Sequence, residues 1–183
     1  GRVRFMFQPG EEGFAGARLM IDEGVLDGVA RAFALHISPN QRVGTASCRA
    51  GALLAGDTSI TVTVTGRGGH ASAPYQATDP IPATAAIITA LQTAVTREVD
   101  VFDPAVLTIA HVVAGTTTNV IPETAFFEGT IRCVSEHTRT RIREAVARTV
   151  RGVAEAHGCS ADIDMVDGYP VTLNDDSEAA RFA

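Results

Sequence analysis

The chain has 183 residues, of which 45% are hydrophobic, and carries a formal net charge of −6 with a pI near 5.3. That is enough apolar material for a packed core and argues against disorder. The acidic balance and the lack of a Lys/Arg block argue against a nucleic-acid partner, and the longest apolar runs fall far short of a bilayer span.

The first stretch, Arg2 to Glu23, reads as strand, loop and helix. Val3, Phe5, Met6 and Phe7 form a β-prone run stopped by Pro9 and Gly10, and Ala15, Ala17, Leu19, Met20 and Ile21 follow with a helical look. Glu11 and Glu12 therefore sit where a strand turns into a helix, at the edge of an open α/β sheet where ligands collect. Adjacent acids can divide labour, one binding a metal while the other takes a proton from water. A solvated Glu-Glu pair in a polar loop gives the same sequence. Ala30 to Ile37 is a second apolar run with His36 near its end. A strand-helix-strand unit of this size predicts a parallel pair with a right-handed crossover, which would bring Glu12 and His36 to one crevice. Carboxylate and imidazole suit Zn²⁺, Mn²⁺ or Co²⁺, although a single His at a strand end is often structural.

A further strand is expected at Val43 to Cys48, a small apolar run follows at Ala50 to Ala55, and the pattern changes character at Gly56 and Asp57. In Thr58 to Gly66, Ile60, Val62 and Val64 alternate with Ser and Thr, as in a half-buried strand. Asp79 and Pro80 open a helix that runs to about Glu98. Strands are predicted over Ala105–Val113 and Thr124–Val134. Ser135 caps the next helix, with Ile142, Val146, Val150 and Ala154 on the apolar side and Arg139, Arg141, Arg143, Arg148 and Arg151 on a solvated face. Gly158 sits at its C′ position, and Ser160 to Val166 alternates again as a strand.

The order from Asp57 to Val166 is β-α-β-β-α-β, a ferredoxin-like arrangement. Residues 57–166 thus form an α+β domain inserted between an α/β segment at 1–56 and a return segment at 167–183, whose SEAARFA end reads as helix. Two loops of the insertion stand out. Gly66 to Pro74 holds His70 among glycines that let a backbone approach a ligand; it also reads as a connector with a surface His. Gly115 to Pro122 holds Asn119, suited to gripping a carboxylate or amide, or simply part of a polar loop. Cys48, Cys133 and Cys159 are odd in number and widely spaced, with no CxxC, as expected of reduced thiols in a cytoplasmic protein. Gly1 stands directly before a strand and Ala183 inside a helix, so the chain reads as an internal fragment.

Taken together, FQPGEEG at 7–13, ALHI at 34–37, GRGGHASAP at 66–74, DPI at 79–81, GTTTNVIPETAFFEGTIR at 115–132 and GYPVTLND at 168–175 resemble the M20 metallopeptidase family in its amidohydrolase branch, which holds hippurate and N-acyl-amino-acid hydrolases. The resemblance spans essentially the whole chain. It implies a Zn-peptidase-like α/β catalytic domain and a ferredoxin-like lid and dimerisation domain. It implies that Glu11 is the general base, that Glu12 and His36 ligate a site of two divalent ions (Zn, Mn or Co), and that His70 reaches a neighbouring subunit to steady the oxyanion. Asn119 would hold the substrate carboxylate from the same side. The implied activity is hydrolysis of N-acyl-amino acids by a homodimer. The family's remaining ligands belong to a Cys-Gly-His-Asp type motif and a further His that these 183 residues do not contain, so partial or absent metal and no useful turnover are expected of this piece alone. The alternative is a non-catalytic module that dimerises or binds a ligand.

Overall fold

In a computed structural model, residues 1–13 and 15–182 are described, and they fall into two compact units, Gly1–Cys48 and Arg49–Phe182. The fold is mixed α/β.

The first unit contains one helix, α1 (Gly16–Asp22). Its start is set by backbone proximity: a Cβ on Gly16 would lie 1.6 Å from the carbonyl oxygen of Pro9, so the turn closes only over glycine. The strands expected over residues 3–7 and 30–37, and the one at Val43 to Cys48, are irregular instead. A parallel strand is covered on both faces and takes hydrogen bonds from its neighbours. Here Phe5, Phe7, Leu35 and Ile37 are 80%, 86%, 82% and 86% exposed, so these extended runs lack the packing that makes a strand. Their β-prone composition is real, but the parallel pair inferred from it does not form.

The second unit begins with β1 (Gly51–Leu54) and β2 (Gly56–Thr65), followed by the short β3 (Gly69–His70) and a 3₁₀ turn at Pro74–Gln76. Next come α2 (Pro80–Glu98), β4 (Ala105–Ala114), the short β5 (Val120–Ile121) and β6 (Thr124–Cys133). α3 (Glu136–Ala156), β7 (Ser160–Asp167), β8 (Thr172–Asn174) and α4 (Asp176–Phe182) complete it. Ala183, the last residue of the expected terminal helix, lies outside the described residues.

The main sheet has the order β4-β6-β2-β7, all antiparallel. With α2 after β2 and α3 after β6, this is the ferredoxin-like topology expected from the element order. Alternation in β2 does what period two demands: Ile60, Val62 and Val64 are at most 1% exposed and meet Phe127 and Ile131 of β6 in one core. Both helices close that core, through Ile87 and Leu91 of α2 and Ile142, Val146 and Val150 of α3.

The helix ends follow their sequence signals. Asp79 Oδ1 accepts from Ile81 N–H at 2.9 Å, and Ser135 Oγ accepts from Thr138 N–H at 3.1 Å. At the far end of α3, Cys159 N–H donates to Ala154 O and Gly158 N–H to Glu155 O, both at 2.9 Å, which forms a Schellman closure. One residue departs from the expected solvated face. Arg139 is 6% exposed, because its guanidinium turns inward to donate from Nη2 to Tyr169 O at 3.1 Å. Gly56 leaves the room it needs: a Cβ there would sit 2.0 Å from Arg139 Nη2.

Candidate active site

Glu11 and Glu12 lie in the turn ahead of α1, where Gly13 N–H donates to Glu11 O at 2.8 Å and both side chains are exposed. His36 is also exposed, and its Nδ1 lies 2.7 Å from the backbone carbonyl oxygen of Ile37. A carbonyl only accepts, so Nδ1 carries the hydrogen. In the neutral ring this leaves the Nε2 lone pair available, the state in which imidazole binds a metal. Glu11, Glu12 and His36 all belong to the first unit. They do not gather into a three-donor cluster: among the described residues, no group of three or more His, Cys, Asp or Glu side chains is arranged to hold an ion.

The two loops of the second unit do come together. β3 pairs with β5 in antiparallel register, Gly69 with Ile121 and His70 with Val120. The ladder continues one step further, since Ala71 N–H donates to Asn119 O at 3.0 Å. His70 and Asn119, 49 positions apart in sequence, therefore stand at one end of the same two-stranded ribbon. Asn119 Oδ1 accepts from Thr117 Oγ1 at 3.1 Å, which fixes the amide and leaves its NH₂ to donate. His70 Nδ1 accepts from Ser72 N–H at 3.2 Å, with Ser72 Oγ at 2.8 Å. An amide N–H only donates, so the neutral ring carries its proton on Nε2. His70 is thus a donor at Nε2, and His36 an acceptor there.

The glycines around His70 serve packing more than ligand approach. A Cβ on Gly66 would meet Thr78 O at 2.1 Å, and one on Gly69 would meet Ala77 Cβ at 2.9 Å. They let this loop lie against the segment leading into α2, where Arg67 and Thr78 exchange two backbone hydrogen bonds of 2.8 Å. Sequence reading did not single out Ser72. The available signal was its spacing, a hydroxyl residue two places after a histidine in a turn, which is where local side-chain hydrogen bonds form.

The lowered acids of the second unit owe their shifts to structural hydrogen bonds. Asp103 is held below the usual carboxylate range by hydrogen bonds from the Ser135 and Thr138 hydroxyls. Asp167 is lowered chiefly by the Thr58 hydroxyl, with Arg143 assisting. Burial pushes the Cys159 thiol up. No helix among the described residues is long and apolar enough to cross a membrane.

Comparison with known proteins agrees with this fold. The peptidase dimerisation domain family of the M20 group matches residues 54–157. The chain is 39% identical over 175 residues to an N-acetylcysteine deacetylase of Bacillus subtilis, covering 96% of this chain and 46% of that protein. It is 40% identical over 176 residues to an N-acetyldiaminopimelate deacetylase of Lactiplantibacillus plantarum, covering 93% and 46%. The chain thus spans about half the length of the curated relatives it matches. Among solved structures, it resembles the Bacillus subtilis YXEP protein, a dinuclear metal binding peptidase from the M20 family. The TM-score is 0.77 and the identity 33%, over 95% of this chain and 43% of that one. Core, topology and sequence agree, and the chain belongs to the M20 peptidase family.

Proposed function

We propose that the protein containing this chain hydrolyses the amide bond of N-acyl-amino acids with the help of two divalent transition-metal ions. The observation that carries the reading is the opposite state of two imidazoles. His36 has its Nδ1 hydrogen on the Ile37 carbonyl and presents a lone pair at Nε2. His70 has its Nδ1 engaged by Ser72 and presents a hydrogen at Nε2. The first suits a metal ligand and the second an oxyanion donor.

Glu12 and His36 would hold metal, and a carboxylate with a neutral imidazole is a donor set that fits Zn, Mn or Co. When bound, the ions would polarise the amide carbonyl and acidify water beside it. Glu11, next to Glu12 in the same turn, accepts the proton of the attacking water as its oxygen adds to the acyl carbon. His70 Nε2–H donates to the carbonyl oxygen as negative charge develops there. The C–N bond then breaks, and Glu11 returns the proton to the leaving amine. Asn119 NH₂, on the same ribbon as His70, donates to the carboxylate of the amino-acid portion. The deacetylase names of the relatives support an N-acyl-amino acid as substrate.

In this reading residues 1–56 and 167–183 belong to the catalytic domain and 57–166 form the lid, which pairs with a second copy so that His70 serves the neighbouring site. The sheet edges support such pairing at β4. Val106, Val112 and Val113 are exposed on that edge strand, whereas the opposite edge, β7, carries Asp162, Asp164 and Asp167. The buried thiols of Cys133 and Cys159 are in keeping with a cytoplasmic location.

The test is Glu11→Ala in the full-length protein. Hydrolysis of an N-acetyl-amino acid should fall by at least about a hundredfold while metal content is unchanged. A variant that keeps most of its rate would refute the assignment.

A further inference from the structure

The main sheet carries its helices on one face only. Phe127 of β6 points into the core they close, so Phe126 points to the opposite face, where its cross-strand partner is Val113 of β4. On that side Val113, Val120, Pro122 and Phe126 line an open cavity of about 290 Å³. Small-molecule sites start at about 300 Å³, so the space suits one group of a ligand rather than a whole one. Among the described residues, no acidic, basic or histidine side chain lines it. A matching occupant is therefore neutral and apolar, since a charged one would lose water without gaining a partner.

Val120 ties this cavity to His70, because the two are cross-strand partners in the β3–β5 ribbon. The adjoining pair is joined by the Ala71 N–H bond to Asn119 O at 3.0 Å. Pairs alternate along an antiparallel ladder, so His70–Val120 is of the closer, non-hydrogen-bonded kind, with both side chains on one face. We propose that the cavity beside His70 is a subsite for the acyl group of the substrate, and that it selects apolar acyl chains longer than acetyl. The proposal rests on the reading of His70 as the oxyanion donor. The acyl substituent is bonded to the very carbon whose oxygen His70 would contact. The amino-acid side chain is two bonds further off and next to the carboxylate that Asn119 would hold. Since His70 serves the neighbouring site in that reading, the cavity reaches the same site on the same lid.

The experiment measures kcat/KM of the full-length protein on the N-acetyl, N-butanoyl, N-hexanoyl and N-succinyl derivatives of L-alanine. A fully buried methylene is worth up to about fourfold, and the cavity is open, so N-hexanoyl should exceed N-acetyl by at least about tenfold. N-succinyl, as long as N-butanoyl but ending in a carboxylate, should show no gain over N-acetyl. Val113→Thr and Val120→Thr place a hydroxyl in the wall at positions that are each 50% exposed, so the fold tolerates them. Each should lower the hexanoyl-to-acetyl ratio by at least about threefold. A flat or falling series from acetyl to hexanoyl, or a ratio that neither variant moves, would overturn the proposal. His70→Ala separates it from the reading beneath it. A lowered kcat in that variant together with a flat acyl series sinks the subsite alone, whereas full kcat sinks the oxyanion reading and the subsite with it.

Discussion

Replacing Gly66 with alanine should damage the support of the His70 loop in a measurable way. The new methyl carbon would lie 2.1 Å from Thr78 O, 3.1 Å from Thr78 C and 3.2 Å from Pro80 Cδ. None of these is the far end of a flexible side chain. Two are backbone atoms, and the third is in the ring that opens α2. Relief requires the Arg67–Thr78 bridge to part, and that bridge holds two hydrogen bonds of 2.8 Å. Overpacking of this kind costs about 1–3 kcal/mol, and each lost hydrogen bond adds about 0.5–1.5 kcal/mol. Because the loop can shift in part, a net destabilisation of roughly 2–4 kcal/mol is expected. Gly152→Ala is the matched control. That glycine lies inside α3 with nothing within 4 Å of its added Cβ. The substitution should stabilise by about 0.5–1 kcal/mol through helix propensity alone. Urea unfolding followed by circular dichroism measures both. A Gly66→Ala variant within about 0.5 kcal/mol of wild type would show that the loop does not depend on this close approach, and the packing argument would fail.

Acid stability and the arginines of α3 give two more tests. Asp103 and Asp167 have folded-state pKa values below their ordinary values. Each therefore contributes stability above the unfolded carboxylate pKa of about 4, and that stability is lost as pH falls through the lower folded value. Asp103→Asn and Asp167→Asn should each lower stability near neutral pH and flatten its decline as pH falls below the ordinary carboxylate range, as read from denaturation midpoints across pH. Arg139→Ala should cost about 1–3 kcal/mol, because it removes a buried donor from Tyr169 O. Arg143→Ala should cost less than about 1 kcal/mol, since its pair with Asp167 is partly solvated. Equal costs would mean that the burial of Arg139 has no energetic consequence.

What could be read from sequence was what local physics fixes. The alternation of Ile60, Val62 and Val64, the caps at Asp79 and Ser135, and Gly158 after α3 each act within a few residues, and each element stands where they put it. The β-α-β-β-α-β order then leaves little freedom in how the sheet closes. The strands predicted at 3–7 and 30–37 do not form, because composition reports a tendency to extend, while a strand needs neighbours. Arg139 departs from the predicted solvated face because helical periodicity averages over a face, whereas this one guanidinium turns inward through the space at Gly56. His70 and Asn119 drew notice as residue types in separate loops. Their meeting depends on a ladder of two residue pairs, Gly69–Ile121 and His70–Val120, too short to leave a pattern. The tautomers of His36 and His70 depend on single backbone contacts and have no signature in composition or period.

The most direct test of the metal-dependent account is a crystal structure of the full-length protein grown with Mn²⁺ and measured for anomalous scattering. The account predicts two anomalous peaks, with a Glu12 carboxylate oxygen and Nε2 of His36 each bonded to one of these ions at about 2.0–2.2 Å, and His36 Nδ1 still donating to the Ile37 carbonyl oxygen. Ions bound with neither Glu12 nor His36 among their ligands, or an ion bound through Nδ1 of His36, would contradict it.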